Sequence, residues 1–292
     1  MPRHNSRVWP AVFLGPAFVL MTLIGIYPLL YSLFASFQRL ELNNLADAPF
    51  VGLANFGAIL TDLDFRNSAL VSLRFVTVSV TASFLLGLGF ALLMNREGRG
   101  MALLRSLFII PMIVAPVAVG LTWRLMYNNE AGLINYLLAA AHLGSPTWLA
   151  DPVVAPWAVV IVDVWEWTPF VFLLLLAGLR SMPLTPFEAA RIDGASTLQV
   201  FRFVTWPLLR PAILVAVILR AIDAFRIFDQ IYVMTKGGPI DSTDVASFFV
   251  YRVGFLFLHV GYATAISWVM VVIASLLVTW FVRATGFLAE NR

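Results

Sequence analysis

Apolar residues gather in six long stretches, at approximately 10–37, 69–94, 106–127, 155–179, 211–234 and 260–283. Each reaches the roughly 20 residues that a helix needs to cross about 30 Å of hydrocarbon. None alternates apolar and polar positions, as the ~10-residue strands of a transmembrane barrel would. The pattern therefore predicts an all-α membrane protein with six transmembrane helices. The polar intervals are uneven. "QRLELNNLADAPFVGLANFGAILTDLDFRN", "NNEAGLINYLLAAAHLGSPTWLADP" and "TKGGPIDSTDVASFFVYRVGFLFLHV" follow the first, third and fifth stretches, and each mixes turn residues with a short apolar segment. Within the second of these, "LINYLLAAA" suits an interfacial helix and a packed loop equally well. No internal repeat or low-complexity linker divides the chain. A single membrane domain over 1–292, with its core at about 69–283, is the economical reading.

Composition sharpens this picture. Only 12% of the 292 residues are charged, against about 25% in a typical soluble domain, and the mean hydropathy is +0.89. The basic start "MPRHNSRVWP" leads into about 28 apolar residues without a small-x-small cleavage site. A signal-peptide core is shorter, roughly 7–15 residues, so this stretch reads as a retained first span. There are no cysteines, which excludes disulfides and thiolate metal sites. The three histidines, His4, His142 and His259, lie far apart in sequence, so no metal site is expected. Basic residues are scattered over loops without interleaved aromatics, which argues against a nucleic-acid partner.

Basic residues also orient the spans. The tail before span 1, the loops after spans 2 and 4, and the C-terminal end hold eleven of the 19 Lys and Arg, and the three opposite loops hold four. Both termini are thus expected on the cytoplasmic side, together with the loop at 181–210.

That loop is a polar island. In "MPLTPFEAARIDGASTLQVFRFVTWPLLRP", Pro186 favours a helix start. Glu188 falls in the first turn, where the helix dipole favours an acid. Gly194 supplies the left-handed backbone that ends helices, and Ser196 or Thr197 suits the cap of a following helix. The result is helix–turn–helix with small residues on an exposed bend. Thirty residues is long for a connector, which commonly runs to about 2–8 in bundles. A docking site and a plain polar spacer both remain open on these grounds.

At this point the chain resembles a permease subunit of the binding-protein-dependent ABC importers, in the maltose-type branch that takes up sugars and polyols. The signature of that family is Glu-Ala-Ala, three residues, Gly, nine residues, then Ile-x-Leu-Pro. Here Glu188, Ala189, Ala190 and Gly194 fit, and Val204-Thr205-Trp206-Pro207 closes the motif with Val for Ile and Trp for Leu. Asp193 within "DGA" also matches the sugar branch. So do "FVGLANF" (50–56), "LFIIPMIVAPVAVGLTWRLMYNNEAGLIN", "FDQIYVMTKGGPIDSTDVASFFVYRVGF" and "GYATAISW", over roughly residues 10–285. The resemblance implies a type I ABC importer permease fold in a bacterial cytoplasmic (inner) membrane. It implies a coupling helix at Glu188, Ala189, Ala190, Asp193 and Gly194 that sits in a cleft of an ATPase. Its partners would be a second, homologous permease subunit, two ABC ATPase subunits and an extracytoplasmic sugar-binding protein. ATP and Mg would be bound by the ATPases, with no cofactor in this chain.

Ionisable groups within spans default to functional roles. Span 4 holds Asp163 and Glu166 with Trp165 and Trp167, and span 5 holds Arg220, Asp223, Arg226 and Asp229 at steps of three. Opposite charges at that spacing pair along a helix. Helix stapling and sugar recognition are both served by such a set. Carried over from the sugar branch, the substrate-pathway positions are Trp165, Trp167, Phe170, Arg220, Asp223, Ala224 and Ile227. Charges at Arg220 and Asp223, and Ala224 and Ile227 where amide side chains are expected, depart from the maltose pattern.

Two other classes compete. A secondary transporter coupled through Asp163, Glu166 or Asp223 usually shows repeats and broken midplane helices, and neither is evident in the sequence. An intramembrane enzyme would need a catalytic set at depth, yet no histidine lies mid-span, and no catalytic residue is assigned. The chain has no G-x-x-x-x-G-K-[ST] loop, and its one lysine, Lys236, lies in "TKGGP". It reads as a passive subunit driven by ATPases elsewhere.

Overall fold

The computed structural model describes residues 8–284. Those residues form helices and connecting loops, with no β-strand beyond two isolated bridges. In chain order the helices are α1 (Val8–Met21), α2 (Tyr27–Ala35), α3 (Ala54–Thr61), α4 (Leu63–Met94), α5 (Met101–Ile113), α6 (Pro116–Met126), α7 (Leu133–Ala140), α8 (Ala155–Arg180), α9 (Thr185–Ile192), α10 (Thr197–Val200), α11 (Trp206–Phe225), α12 (Asp229–Met234), α13 (Ala246–Tyr251) and α14 (Val260–Ala284). Single π-helical turns at Thr22–Ile26 and Phe201–Thr205 make the first span and the α10–α11 segment continuous. The segment "LINYLLAAA" is helical, as α7.

Among the described residues four helices are long and apolar enough to cross a bilayer: Phe13–Ala35, Leu63–Met94, Ala155–Arg180 and Val260–Arg283. The other two expected spans are not straight rods. The third, expected at 106–127, is α5 followed by α6 with a 93° bend between them. Pro116 opens α6 and forces the residue before it out of the helical region. Ala115 accordingly sits at φ −62°, ψ 134°, and Val114 is extended too. The fifth, expected at 211–234, runs as α11 to Phe225, breaks at Arg226–Phe228 and resumes as α12. Within its 20 residues α11 carries Arg210, Arg220 and Asp223, which makes it too charged to qualify as a simple apolar span. Two of the six expected spans are therefore broken helices, a feature that is not evident in the sequence. The expected orientation of the N-terminal tail concerns residues 1–7, outside the described residues.

The described chain divides into two compact units, one holding residues up to Asp62 with Val250–Val272 and the other Leu63–Phe249 with Ile273 onward. In the first, Asn55 Nδ2 donates to the carbonyls of Ser36 (2.8 Å) and Gln38 (2.9 Å). Tyr262 Oη donates to Asp62 at 2.6 Å. The backbone of Gly261 lies so close to the Gln38 carbonyl that a β-carbon there would sit 2.1 Å from it.

The second unit is organised around α4, α8 and α11. Their apolar core contains Leu88 and Ala91 from α4, Val171, Phe172, Leu175, Leu176 and Leu179 from α8, and Leu209 and Ala216 from α11. Glycine permits the two close crossings. A β-carbon on Gly87 would lie 2.9 Å from Val171 Cγ1, and one on Gly178 would lie 2.6 Å from Ala212 Cβ. Helix α4 carries a row of buried small residues, Ser68, Ser72, Ser79, Ser83 and Gly87, at helical spacing. In lipid, where no hydrophobic effect drives one apolar helix against another, such small residues let backbones approach and hydroxyls bridge helices.

Candidate translocation and coupling sites

The polar island folds as a rigid bend between α8 and α11. Pro186 lies in the first turn of α9, and Glu188 occupies the same turn. At the other end Gly194 takes φ +74°. Its N–H donates to the Arg191 carbonyl (3.1 Å), and the N–H of Ala195 donates to the Ala190 carbonyl (2.9 Å). This pair of bonds is the Schellman arrangement, which satisfies carbonyls at a helix end and needs a left-handed residue at its centre. Ser196 then caps the next helix in a reciprocal box with Gln199: the Ser196 N–H donates to Gln199 Oε1 at 2.7 Å, and the Gln199 N–H donates back to Ser196 Oγ at 3.4 Å. Of the two cap candidates in the sequence, Ser196 is the one used. Glu188, Ala189, Asp193 and Gly194 are exposed and Ala190 is half-buried. Leu184, Leu198 and Phe203 are exposed beside them, and Ile192 is 86% exposed. All five signature residues therefore sit on one short, stiff, accessible rod flanked by apolar side chains.

A second polar site lies within α4, α8 and α11. Arg220 is only 1% exposed. Its guanidinium donates to Asp163 on α8, to Ser79 Oγ on α4 (3.0 Å) and to Asp223 one turn along α11 (3.2 Å). Ser79 in turn donates to Asp163. One arginine thus ties three helices, and its guanidinium carbon lies 5.9 Å from the centre of the Trp167 ring. Beside this cluster Glu166 accepts a hydrogen bond from Gln230 Nε2 of α12.

An open cavity of about 370 Å³ adjoins the cluster, lined by Pro116, Asp163, Trp167, Asp223, Arg226, Ile227, Phe228, Asp229 and Gln230. Both broken spans contribute to it: Pro116 from the bend after α5, and Arg226–Phe228 from the interruption after α11. Of the seven pathway positions named from the sequence, Trp167, Asp223 and Ile227 line this space. Phe170 stands edge-on to Trp167 at 6.2 Å and packs on the apolar core. Arg220 and Ala224 are buried behind the wall, each 1% exposed. Trp165 points elsewhere, edge-on to Trp123 at 5.5 Å. Ser79 and Gln230 are the partners that sequence reasoning missed. The spacing of small residues along α4 carried a signal for Ser79; Gln230 had none. Among the described residues no group of three or more His, Cys, Asp or Glu is placed to hold a metal.

Residues 79–287 match the family described as "Binding-protein-dependent transport system inner membrane component". The chain belongs to that family. The match takes in both the bend and the cavity. Similar curated proteins include the trehalose/maltose transport system permease protein MalF of Thermococcus litoralis, 40% identical over 237 residues, which are 81% of this chain and 80% of that one. The trehalose transport system permease protein SugA of Mycobacterium tuberculosis is 36% identical over 289 residues (99% and 92%). The sulfoquinovosyl glycerol transport system permease protein SmoG of Agrobacterium fabrum is 31% identical over 279 residues (96% and 91%). Among solved structures, a chain of a bacterial ABC transporter that imports the acidic polysaccharide alginate superposes with a TM-score of 0.83, at 21% identity over 96% of both chains. The fold is that of ABC importer permeases.

Proposed function

We propose that this chain forms half of the translocation pathway of an ATP-driven importer for a sugar or sugar-like solute, and that its bend at Glu188–Gly194 receives the stroke of a cytoplasmic ATPase. One observation carries the reading. The same two helices, α8 and α11, flank the exposed bend and wall the polar cavity. From Trp167 to the end of α8 at Arg180 is about 20 Å of helix at 1.5 Å per residue. The Arg220 tie to Asp163 and Ser79 makes the helices move together, so displacement of α9 reaches the cavity as rigid-body motion rather than local bending. The cavity has the chemistry that a sugar needs: an indole face at Trp167 for C–H surface, and Asp223, Asp229 and Gln230 as hydroxyl acceptors. The names of the relatives, which include trehalose, maltose and sulfoquinovosyl glycerol permeases, support this cargo class.

In this reading the four apolar helices, the bent α5–α6 pair and the α11–α12 pair make six crossings with both termini cytoplasmic, in a cell inner membrane. A second permease subunit completes the pathway. Two ATPase subunits bind ATP and Mg, and an external binding protein delivers cargo. A solved alginate transporter with a similar chain is described in complex with its periplasmic protein. The test is uptake by the assembled importer in vesicles, with co-purification of the ATPase. Glu188→Lys and Gly194→Pro abolish uptake while the chain still reaches the membrane. Normal uptake and normal ATPase association in both variants refute the coupling role.

A further inference from the structure

We infer that the cavity walled by Trp167, Asp223 and Gln230 admits uncharged, hydroxyl-rich cargo and rejects anionic cargo, with Gln230 Oε1 accepting a hydrogen bond from a cargo hydroxyl. This rests on the proposed sugar reading and narrows it.

The lining is rich in acceptors. Asp163, Asp223 and Asp229 present carboxylates, against one lining guanidinium, Arg226. Arg220 lies behind the wall, already engaged by Asp163, Asp223 and Ser79. Gln230 adds a fourth acceptor. It is 2% exposed, and its Nε2 donates to Glu166. That bond fixes the orientation of the amide and leaves Oε1 buried without any partner. A buried acceptor without a donor is costly, and it calls for one. Sugar hydroxyls donate as well as accept. Cargo carboxylates and phosphates only accept, so such a group cannot satisfy Gln230, and it meets a lining in which three aspartates outnumber Arg226 and the Arg220 behind it.

The arrangement is also specific to where the chain breaks. Arg226, Ile227 and Phe228 form the interruption between α11 and α12, and Gln230 is the second residue of α12. An unbroken α11 would carry residues 226–230 onward along its own axis instead of turning them onto the cavity.

The measurement is calorimetric titration of the assembled permease–ATPase complex without the external binding protein, so that the selectivity of the latter does not enter. The probes are two uncharged disaccharides, maltose and trehalose, and two anionic counterparts, maltobionate and trehalose 6-phosphate. At least one uncharged sugar binds about tenfold or more tightly than its anionic counterpart. Gln230→Met weakens that sugar by about tenfold, and Asp223→Asn with Asp229→Asn brings the two probes to within roughly threefold. Asp229 is exposed, so the charge variant remains informative if Gln230→Met fails to assemble. Equal or tighter binding of the anionic sugar, anchored by Arg226, overturns the inference while leaving the sugar reading intact. Binding of none of the four probes overturns both.

Discussion

Replacing Arg220 by Met removes the group that holds α4, α8 and α11 together, and its cost follows from burial. Arg220 and Asp163 are 1% and 2% exposed, so their pairing is not the screened surface kind worth about 0–1 kcal/mol. Arg220→Met leaves Asp163 with only Ser79 for company, an uncompensated buried charge. Breaking a buried pair from one side costs about 3–5 kcal/mol. Asp163→Leu is milder, because Arg220 keeps Asp223, which is 35% exposed, and Ser79. The double variant Asp163→Leu/Arg220→Met removes both charges, and Ser79 is then free to bond back to its own helix. Replacing a whole buried pair by apolar groups of similar volume is often neutral. With the double variant near neutral, the double-mutant cycle on the purified permease, unfolded by a denaturing detergent, yields a coupling equal to the sum of the two single costs, at least about 3–5 kcal/mol or roughly two to four decades in the unfolding equilibrium. The order of stability is wild type close to the double variant, then Asp163→Leu, then Arg220→Met. A neutral Arg220→Met, or a double variant no better than the worse single, refutes the staple.

Three further outcomes follow from the geometry. Gly178→Ala drives a methyl to 2.6 Å from Ala212 and destabilises by about 1–3 kcal/mol, and adding Ala212→Gly restores the thermal midpoint; a midpoint that does not recover shows that the α8–α11 crossing is not set there. Ser196→Ala removes the cap at the start of α10, costs about 1 kcal/mol locally and speeds amide exchange across the bend; unchanged exchange removes the capping box from the account. Asp223→Ala raises the transport KM while ATPase association stays normal, and unchanged uptake kinetics make Asp223 a helix staple only.

What the sequence made legible, it did through local rules. The bend could be read because Pro186, Glu188, Gly194 and Ser196 each act within one turn of themselves, and each took its expected place. The first, second, fourth and last spans could be read because their apolar runs are longer than the break-free minimum. The two broken spans were hidden for the same reason: apolar residues continue through Val114–Ala115 and through Ile227–Phe228, so hydropathy does not register a change of direction. Pro116 was the available signal for the first break. The ties that shape the cavity lie beyond local reading. Arg220 reaches Asp163 across 57 positions and Ser79 across 141, and Gln230 reaches Glu166 across 64. Charge at steps of three showed that Arg220 and Asp223 pair, but not that a serine row on α4 closes the cluster. The same row shows why Arg220 lies in the wall rather than in the open space.

The natural absence of cysteine makes one experiment especially direct. A single Ala189→Cys, on the exposed face of α9, is treated with a membrane-impermeant maleimide and with a short thiol cross-linker in vesicles holding the assembled importer. The account holds if Ala189→Cys reacts only from the cytoplasmic side, cross-links to an ATPase subunit, and loses uptake once cross-linked. Reaction from the external side, or full uptake with α9 locked to the ATPase, would contradict it.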